Sequence, residues 1–215
     1  VEFEAIVFDM DGLLVDSEPV WQRAEHALVR EHGATPDEAF HREITGVGIL
    51  EWGEATRAHY GLAASAGALR EGLLEGMLRL IPQLVRPQPG AQELVEWVAA
   101  RALPRAIASS SHLNLIEATV EAVGWREQLA VRCSAEEVPR GKPAPDVYLL
   151  AAERLGVDPA RCLALEDSPT GARAALAAGM TCWAVPDPAH TSAEAFAGVT
   201  PHVHADLHTV LAAIR

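Results

Sequence analysis

Asp9 and Asp11 stand one residue apart, directly after the apolar run Ala5-Ile6-Val7-Phe8. In an extended chain residues i and i+2 point the same way, so both carboxylates can serve one site at a strand tip. Two carboxylates so placed divide roles: one stays ionised on a hard cation and acts as nucleophile, while the other exchanges a proton with leaving group and water. The local alternative is that Asp11 opens a turn and Asp9 caps it. Ser109 follows a second apolar run, Ala106-Ile107-Ala108, with Ser110 beside it as a further candidate for substrate contact. A hydroxyl there, helped by free N–H groups at a helix start, can hold a phosphoryl oxygen, though an N-cap reads equally well. Glu166-Asp167 end a third run, Cys162-Leu163-Ala164-Leu165. Hard Mg²⁺ favours carboxylate oxygens, water and substrate phosphate, and the competing reading is again a helix cap before Pro169.

The 17 basic residues are 16 arginines and one lysine, Lys142. A chain that uses arginine for generic positive charge places its single ammonium where a compact point charge is needed, or by chance. Lys142 lies in Arg140-Gly141-Lys142-Pro143-Ala144-Pro145, a stiff loop before a helix, from which it can neutralise both a phosphate and a nucleophile.

These residues need elements to hold them. The three apolar runs, and a fourth at Cys182-Trp183-Ala184-Val185, read as strands buried on both faces. Between them amphipathic patterns predict helices over 91–101, 113–123, 145–155 and 169–178, the last led by Ser168 as N-cap and Pro169 at N1. The alternation predicts an α/β fold, a doubly wound parallel sheet wrapped by helices, with ligands beyond the carboxyl ends of the strands. Residues 18–86 break the pattern and read as an all-helical insertion. Its first helix would carry Val20, Trp21, Ala24, Ala27 and Leu28 on one face and stop at Gly33. Thr35-Pro36-Asp37-Glu38 resembles a capping box, further helices are predicted over 49–60 and 65–80, and 87–90 is the return hinge. The expected domains are a core of 1–17 with 87–215 and a helical domain of 18–86.

Composition bounds the rest. The chain has 215 residues, 49% of them hydrophobic and 22% charged, and no apolar run near the roughly 18 residues a membrane span needs. A formal net charge of −13 argues against nucleic acid and anionic membrane as partners. It also requires any phosphate site to reverse the local sign, which a metal ion does. Cys133, Cys162 and Cys182 lack metal-site spacing and behave as small hydrophobes. With no signal pattern at the N-terminus, a cytoplasmic monomer acting on a small phosphorylated metabolite is the expectation. His26, His59, His112, His202, His204 and His208 read as solvated or structural.

The segment Phe8-Asp9-Met10-Asp11-Gly12-Leu13-Leu14-Val15-Asp16-Ser17-Glu18 resembles the first motif of the haloacid dehalogenase superfamily. Ser109 matches the second motif, Gly141-Lys142-Pro143 the third, and Leu165-Glu166-Asp167-Ser168-Pro169-Thr170-Gly171 the fourth, so the resemblance spans nearly the whole chain. It implies a Rossmann-like core with an inserted helical cap, and phosphoryl transfer through an aspartyl-phosphate on Asp9. Asp11 would be the general acid and base, and Ser109 and Lys142 would hold the phosphate. Mg²⁺ would bind Asp9, the Asp11 main-chain carbonyl and Asp167, with Glu166 in the metal group beside them.

Within that superfamily, Asp11 argues against the halide-displacing branch, and the absence of any other lysine excludes a cap Schiff base. The β-phosphoglucomutase branch shares the pattern, including Gly46-Val47. Its cap carries a histidine about where Trp21 stands and an arginine where this chain has Gly48-Ile49, and a second phosphate site wants those cations. The opening Asp16-Ser17-Glu18-Pro19-Val20-Trp21 is similar to sugar-phosphate phosphatases such as the 2-deoxyglucose-6-phosphate and hexitol-phosphate enzymes. Hexose or polyol monophosphates are the expected substrates, with Glu18, Trp21, Thr45, Gly46 and Gly48 facing them, although Trp21 could equally belong to a core. A phosphosugar mutase and a non-catalytic phosphate-binding module are the alternatives.

Overall fold

The computed structural model describes residues 3–44 and 48–215. The chain divides into two compact units, Val1–Asp16 with Arg86–Arg215, and Ser17–Val85. Ser17 therefore groups with the helical stretch and Arg86 with the sheet, one residue from each expected boundary.

The first unit is built on a five-stranded sheet. Its central strand β1 (Ala5–Phe8) is buried along its whole length, as a continuous apolar run demands when both faces are covered. In chain order there follow β2 (Val15–Asp16), β3 (Arg86–Pro87), β4 (Arg105–Ser109), β5 (Val131–Ser134), β6 (Cys162–Glu166) and β7 (Thr181–Ala184). The large sheet runs β5-β4-β1-β6-β7, every pair parallel, with Phe8 level with Ile107 on one side and Leu165 on the other. β1 and β6 are neighbours although four strands separate them in the chain, so the order reverses between them. That is the switch point where a crevice opens beyond the carboxyl ends. β2 and β3 form a separate short antiparallel pair.

Helices of this unit cover Ala91–Ala100, Leu113–Ala122, Asp146–Leu155, Pro169–Ala177 and Leu207–Ile214. Two deserve names for the site: αA (Asp146–Leu155) and αB (Pro169–Ala177). αA buries Val147, Tyr148, Ala151 and Ala152 in the same core as Val7, Ala106, Ala108 and Ala164. αB starts as its sequence predicts, with the Ser168 hydroxyl accepting from Gly171 N at 3.0 Å and Pro169 in the first turn.

The second unit, among its described residues, is entirely helical: α1 (Glu18–Glu31), α2 (Glu38–Ile44), α3 (Ile49–Tyr60) and α4 (Ala66–Leu84). Three details differ from expectation. α1 buries Val20, Ala24, Glu25, Leu28 and Val29, while Ala27 is exposed and Trp21 half-buried. The buried face is thus turned toward a carboxylate that an apolar pattern cannot reveal. α2 is capped by Asp37, whose Oδ1 accepts from Ala39 N at 2.8 Å and Phe40 N at 3.4 Å, and Thr35 takes no part in the cap. Finally, α4 continues past Leu80 through Pro82 to Leu84. Burial of Ile81 and Val85 in the last turn outweighs the one N–H that Pro82 lacks. No helix among the described residues is long and apolar enough to cross a membrane.

Candidate active site

Asp9 is the first residue beyond β1, and its N–H donates to Leu165 O at 3.0 Å, which ties the tip of β1 to that of β6. Its side chain is almost wholly buried and meets Lys142, whose Nζ lies 2.5 Å from Asp9 Oδ1 and 2.6 Å from Glu166 Oε1. Burial opposes the Lys142 ammonium, but Asp9 and Glu166 together outweigh it and hold it charged, above its ordinary value. The loop that carries this lysine is anchored to αA by Arg140, which pairs with both oxygens of Asp146 at 2.8 and 3.1 Å.

Glu166, read from sequence with the metal group, is also the partner of Lys142. It is fully buried, and both of its oxygens are taken: Lys142 and the Tyr148 hydroxyl (2.8 Å) on Oε1, Ser168 N and Ser168 Oγ (both 3.0 Å) on Oε2. A carboxylate with four donors holds its neighbours in place. Gly171 makes room for it, since a Cβ there would lie 1.6 Å from Glu166 Oε1. The Tyr148 ring also lies under the lysine, 5.0 Å from Nζ to its centroid. Burial, and next the Glu166 charge, push the Tyr148 phenol well above its usual value, so it remains a donor.

Asp11 is held by serines at the end of β4. Ser111 Oγ donates to Asp11 Oδ2 at 2.7 Å and Ser109 Oγ at 3.3 Å, while Ser109 Oγ accepts from Ser111 N at 3.0 Å. Ser109 is buried, Ser110 exposed beside it. The loop after Asp11 closes with Leu14 N and Val15 N on the Met10 carbonyl and Gly12 N on the Val15 carbonyl.

Charge at this rim does not balance. Asp9, Asp11, Glu166 and Asp167 converge on one ammonium, and no basic side chain pairs with Asp167 among the described residues. Burial, then Glu166 and Asp11, push the Asp9 carboxyl up to about 8 despite Lys142. Burial and the charges of Asp9 and Glu166 raise Asp167 well above the usual carboxylate range. Asp167 Oδ2 lies against Gly12, where a Cβ would come within 2.3 Å. Among the described residues no three acidic, histidine or cysteine side chains form a closed metal cage. The donor set nevertheless fits Mg²⁺, which takes one or two carboxylates and completes its shell with water and phosphate.

The other predicted site residues belong to the helical unit or lie outside the description. Glu18 opens α1 and accepts from His41 Nε2 at 2.9 Å; Trp21 follows one turn later; Gly48 precedes α3. Thr45 and Gly46 lie outside the described residues. The histidines without a sequence role have packing or ion-pair partners: His59 stacks on Phe40 at 3.9 Å, His204 stacks on Trp183 at 4.6 Å, and His112 meets Glu136 at 2.6 Å. Sequence reasoning missed Tyr148 and Ser111, although Ser111 stands in a visible serine triplet.

A family model of haloacid dehalogenase-like hydrolases matches residues 3–179. Hexitol phosphatase B of Escherichia coli (strain K12) is 37% identical over 188 residues, which cover 86% of this chain and 84% of that protein. Phosphorylated carbohydrates phosphatase of Thermotoga maritima is 30% identical over 177 residues, 82% of each chain. Among solved structures, that of CbbY from Rhodobacter sphaeroides in complex with phosphate matches with a TM-score of 0.82, at 29% identity over 95% of both chains. The chain belongs to the haloacid dehalogenase-like hydrolase family, and it is a phosphatase.

Proposed function

We propose that this phosphatase hydrolyses monophosphate esters of small polyhydroxy compounds, hexose or polyol phosphates, through a phosphorylated Asp9. The observation that carries the reading is the buried Asp9 at the tip of the central strand, gripped on one oxygen by the only lysine of the chain. The other oxygen is left to attack phosphorus. As the new bond forms, the bond from phosphorus to the ester oxygen breaks, and Asp11, positioned by Ser111 and Ser109, gives its proton to the departing alkoxide. The resulting Asp11 carboxylate then takes a proton from water, whose oxygen attacks phosphorus and releases Asp9. Lys142 and the Ser109 hydroxyl stabilise the phosphoryl oxygens throughout. Mg²⁺, held by Asp9, Asp167 and the Asp11 main-chain carbonyl, would supply charge neutralisation of the phosphoryl group. The sugar-phosphate and polyol-phosphate names of the relatives support the substrate class.

The test is a panel of sugar and polyol monophosphates assayed for phosphate release with and without Mg²⁺, in wild type and Asp9→Asn. Release that needs Mg²⁺ and vanishes in Asp9→Asn is expected, together with one phosphoryl group on the Asp9 peptide after acid quench. Dominant conversion of β-glucose 1-phosphate to glucose 6-phosphate in the presence of a bisphosphate primer would overturn the phosphatase reading in favour of a mutase. A folded protein without turnover on any ester would overturn both.

A further inference from the structure

Within the sheet unit, Asp11 is tied to the edge strand β5 through a row of serines that the chemistry above uses only in part. Ser111 has three polar groups, and each has a partner. Its Oγ donates to Asp11 Oδ2 at 2.7 Å, its N–H donates to Ser109 Oγ at 3.0 Å, and its carbonyl accepts from Ser134 Oγ at 2.7 Å. Ser134 ends β5, level with Ser109 on β4, and is fully buried. Its hydroxyl also accepts from Glu136 N at 3.1 Å, and its N–H donates to Glu137 Oε2 at 2.9 Å. Glu137 is held in turn by Arg154 of αA at 2.6 Å. Glu136 closes the arrangement, with Oε1 2.6 Å from His112 Nδ1 and Oε2 accepting from Leu113 N at 3.3 Å.

Hydrogen-bond accounting separates the two serines that reach Asp11. A hydroxyl has one hydrogen, so Ser109 cannot donate to Asp11 and to a phosphoryl oxygen at once. Its contact with Asp11, at 3.3 Å, is already longer than an ordinary O–H···O bond, whereas that of Ser111 has normal length. When Ser109 turns to a phosphate, Ser111 remains on Asp11. Both serines approach the same oxygen, Oδ2. In a protonated carboxyl the better acceptor is the oxygen without the hydrogen, so a donor on Oδ2 directs the acidic hydrogen to Oδ1. A carboxyl without such a donor can carry its hydrogen on either oxygen and rotate, and only some of those arrangements reach an ester oxygen.

We propose that Ser111, locked in place by the buried Ser134, is a positioning residue that aims the acidic hydrogen of Asp11 at the leaving group and frees the Ser109 hydroxyl for the phosphoryl group. Ser134 acts one step further back, through the Ser111 carbonyl. This rests on the reading of Asp11 as the general acid. In the first half of the reaction the proton passes from Asp11 Oδ1 to the ester oxygen, as the bond between that oxygen and phosphorus breaks and the bond from Asp9 to phosphorus forms. A departing alkoxide needs that proton; a nitrophenolate leaves without it. The two serines therefore serve alkyl esters, those of sugars and polyols among them, far more than activated aryl esters.

The experiment compares kcat/KM for the fastest alkyl ester of the panel above with kcat/KM for 4-nitrophenyl phosphate, in wild type, Asp11→Asn, Ser111→Ala, Ser111→Thr and Ser134→Ala, with circular dichroism and melting curves as controls for folding. This quantity reports phosphoryl transfer to Asp9, the half-reaction in which the esters differ, since all of them leave the same phosphorylated enzyme. In Ser111→Ala the ratio of the two values is expected to move about tenfold against the alkyl ester, and in Ser134→Ala about threefold in the same direction. Ser111→Thr, which keeps the hydroxyl, is expected to stay within about twofold of the wild-type ratio. A serine that binds phosphate, or that only supports the fold, lowers both esters alike, so an unmoved ratio in folded Ser111→Ala overturns the proposal. If Asp11→Asn also leaves the ratio unmoved, the reading of Asp11 as the acid falls with it; if Asp11→Asn moves the ratio and Ser111→Ala does not, the positioning role alone is lost. A shift in Ser111→Thr as large as that in Ser111→Ala would likewise sink the idea, because the hydroxyl is then not what matters. Should Ser134→Ala not fold, the two Ser111 variants decide. A wild type without turnover on any alkyl ester removes the proposal together with the function it rests on.

Discussion

Each unit of this protein buries a nitrogen base between two acidic side chains, and the two solutions differ in kind. In the sheet unit Lys142 lies between Asp9 and Glu166; in the helical unit His41 lies between Glu25 and Glu18. Lys142 is a fixed charge, and it is outnumbered, because Asp11 and Asp167 add to the same rim. His41 forms a cluster that balances itself by keeping or releasing one proton. A site with a permanent surplus of negative charge is built to draw in something positive along with its phosphate. A cluster that adjusts its own proton count can balance its charge within its own unit.

The largest effect that tests this contrast is expected for Asp9→Asn, which removes the nucleophile and should lower phosphate release by about 10⁴-fold or more, with an unshifted or higher melting temperature because a buried, crowded carboxylate is gone. Retained turnover would place the chemistry elsewhere. Lys142→Arg keeps the charge but replaces a compact ammonium, wedged between two carboxylates over the Tyr148 ring, with a wider planar group; a fall of about 10²-fold in kcat is expected. Near-normal rates in this variant would mean that any cation suffices and that the two bridges are more alike than their geometry. Tyr148→Phe keeps the ring and deletes one donor to a buried carboxylate. A loss of about 1.5–3 kcal/mol in urea unfolding is expected, with a smaller fall in kcat as Glu166 draws Lys142 away from Asp9.

The smallest effect belongs to the helical unit. The Glu25 carboxyl is raised from 4.5 to about 7, chiefly by burial, so the folded chain binds this proton more tightly than the unfolded chain does. Its contribution is therefore complete below about pH 4.5 and is lost as the pH rises through 7. Asp9 slopes the same way, so the informative quantity is the difference in melting temperature between wild type and Glu25→Gln. That difference should shift in favour of the variant across this window and level off above it; a constant difference would mean that the cluster does not titrate there.

How much of this was legible in the sequence depends on which neighbours a residue needs. Asp9, Ser109 and Asp167 each follow an apolar run, and a parallel sheet brings the ends of such runs to one rim, so their convergence could be read from order alone. β5 could not, because Arg132 interrupts it; at the sheet edge that guanidinium reaches Glu117 at 2.9 Å, and no continuous apolar run is required. Glu166 and Asp167 are chemically alike and adjacent, and only the packing of αA and αB shows that one is enclosed by four donors and the other is not. Tyr148 occupies an apolar face of αA and reads as core until its hydroxyl is seen to end at Glu166. The row through His41 depends on α2 lying beside α1, a contact that no spacing in the chain announces.

Lys142 also gives the folded protein an unusual chemical signature. It is the single side-chain amine of the chain, and its side chain is 6% exposed. An amine-directed acylating reagent therefore has one side-chain target, and it can react there only when the rim opens and the ammonium sheds its proton away from Asp9 and Glu166. The labelling rate at this one position is a clock for local opening of the active site, readable by mass in the intact chain, and anything that occupies the rim should slow it.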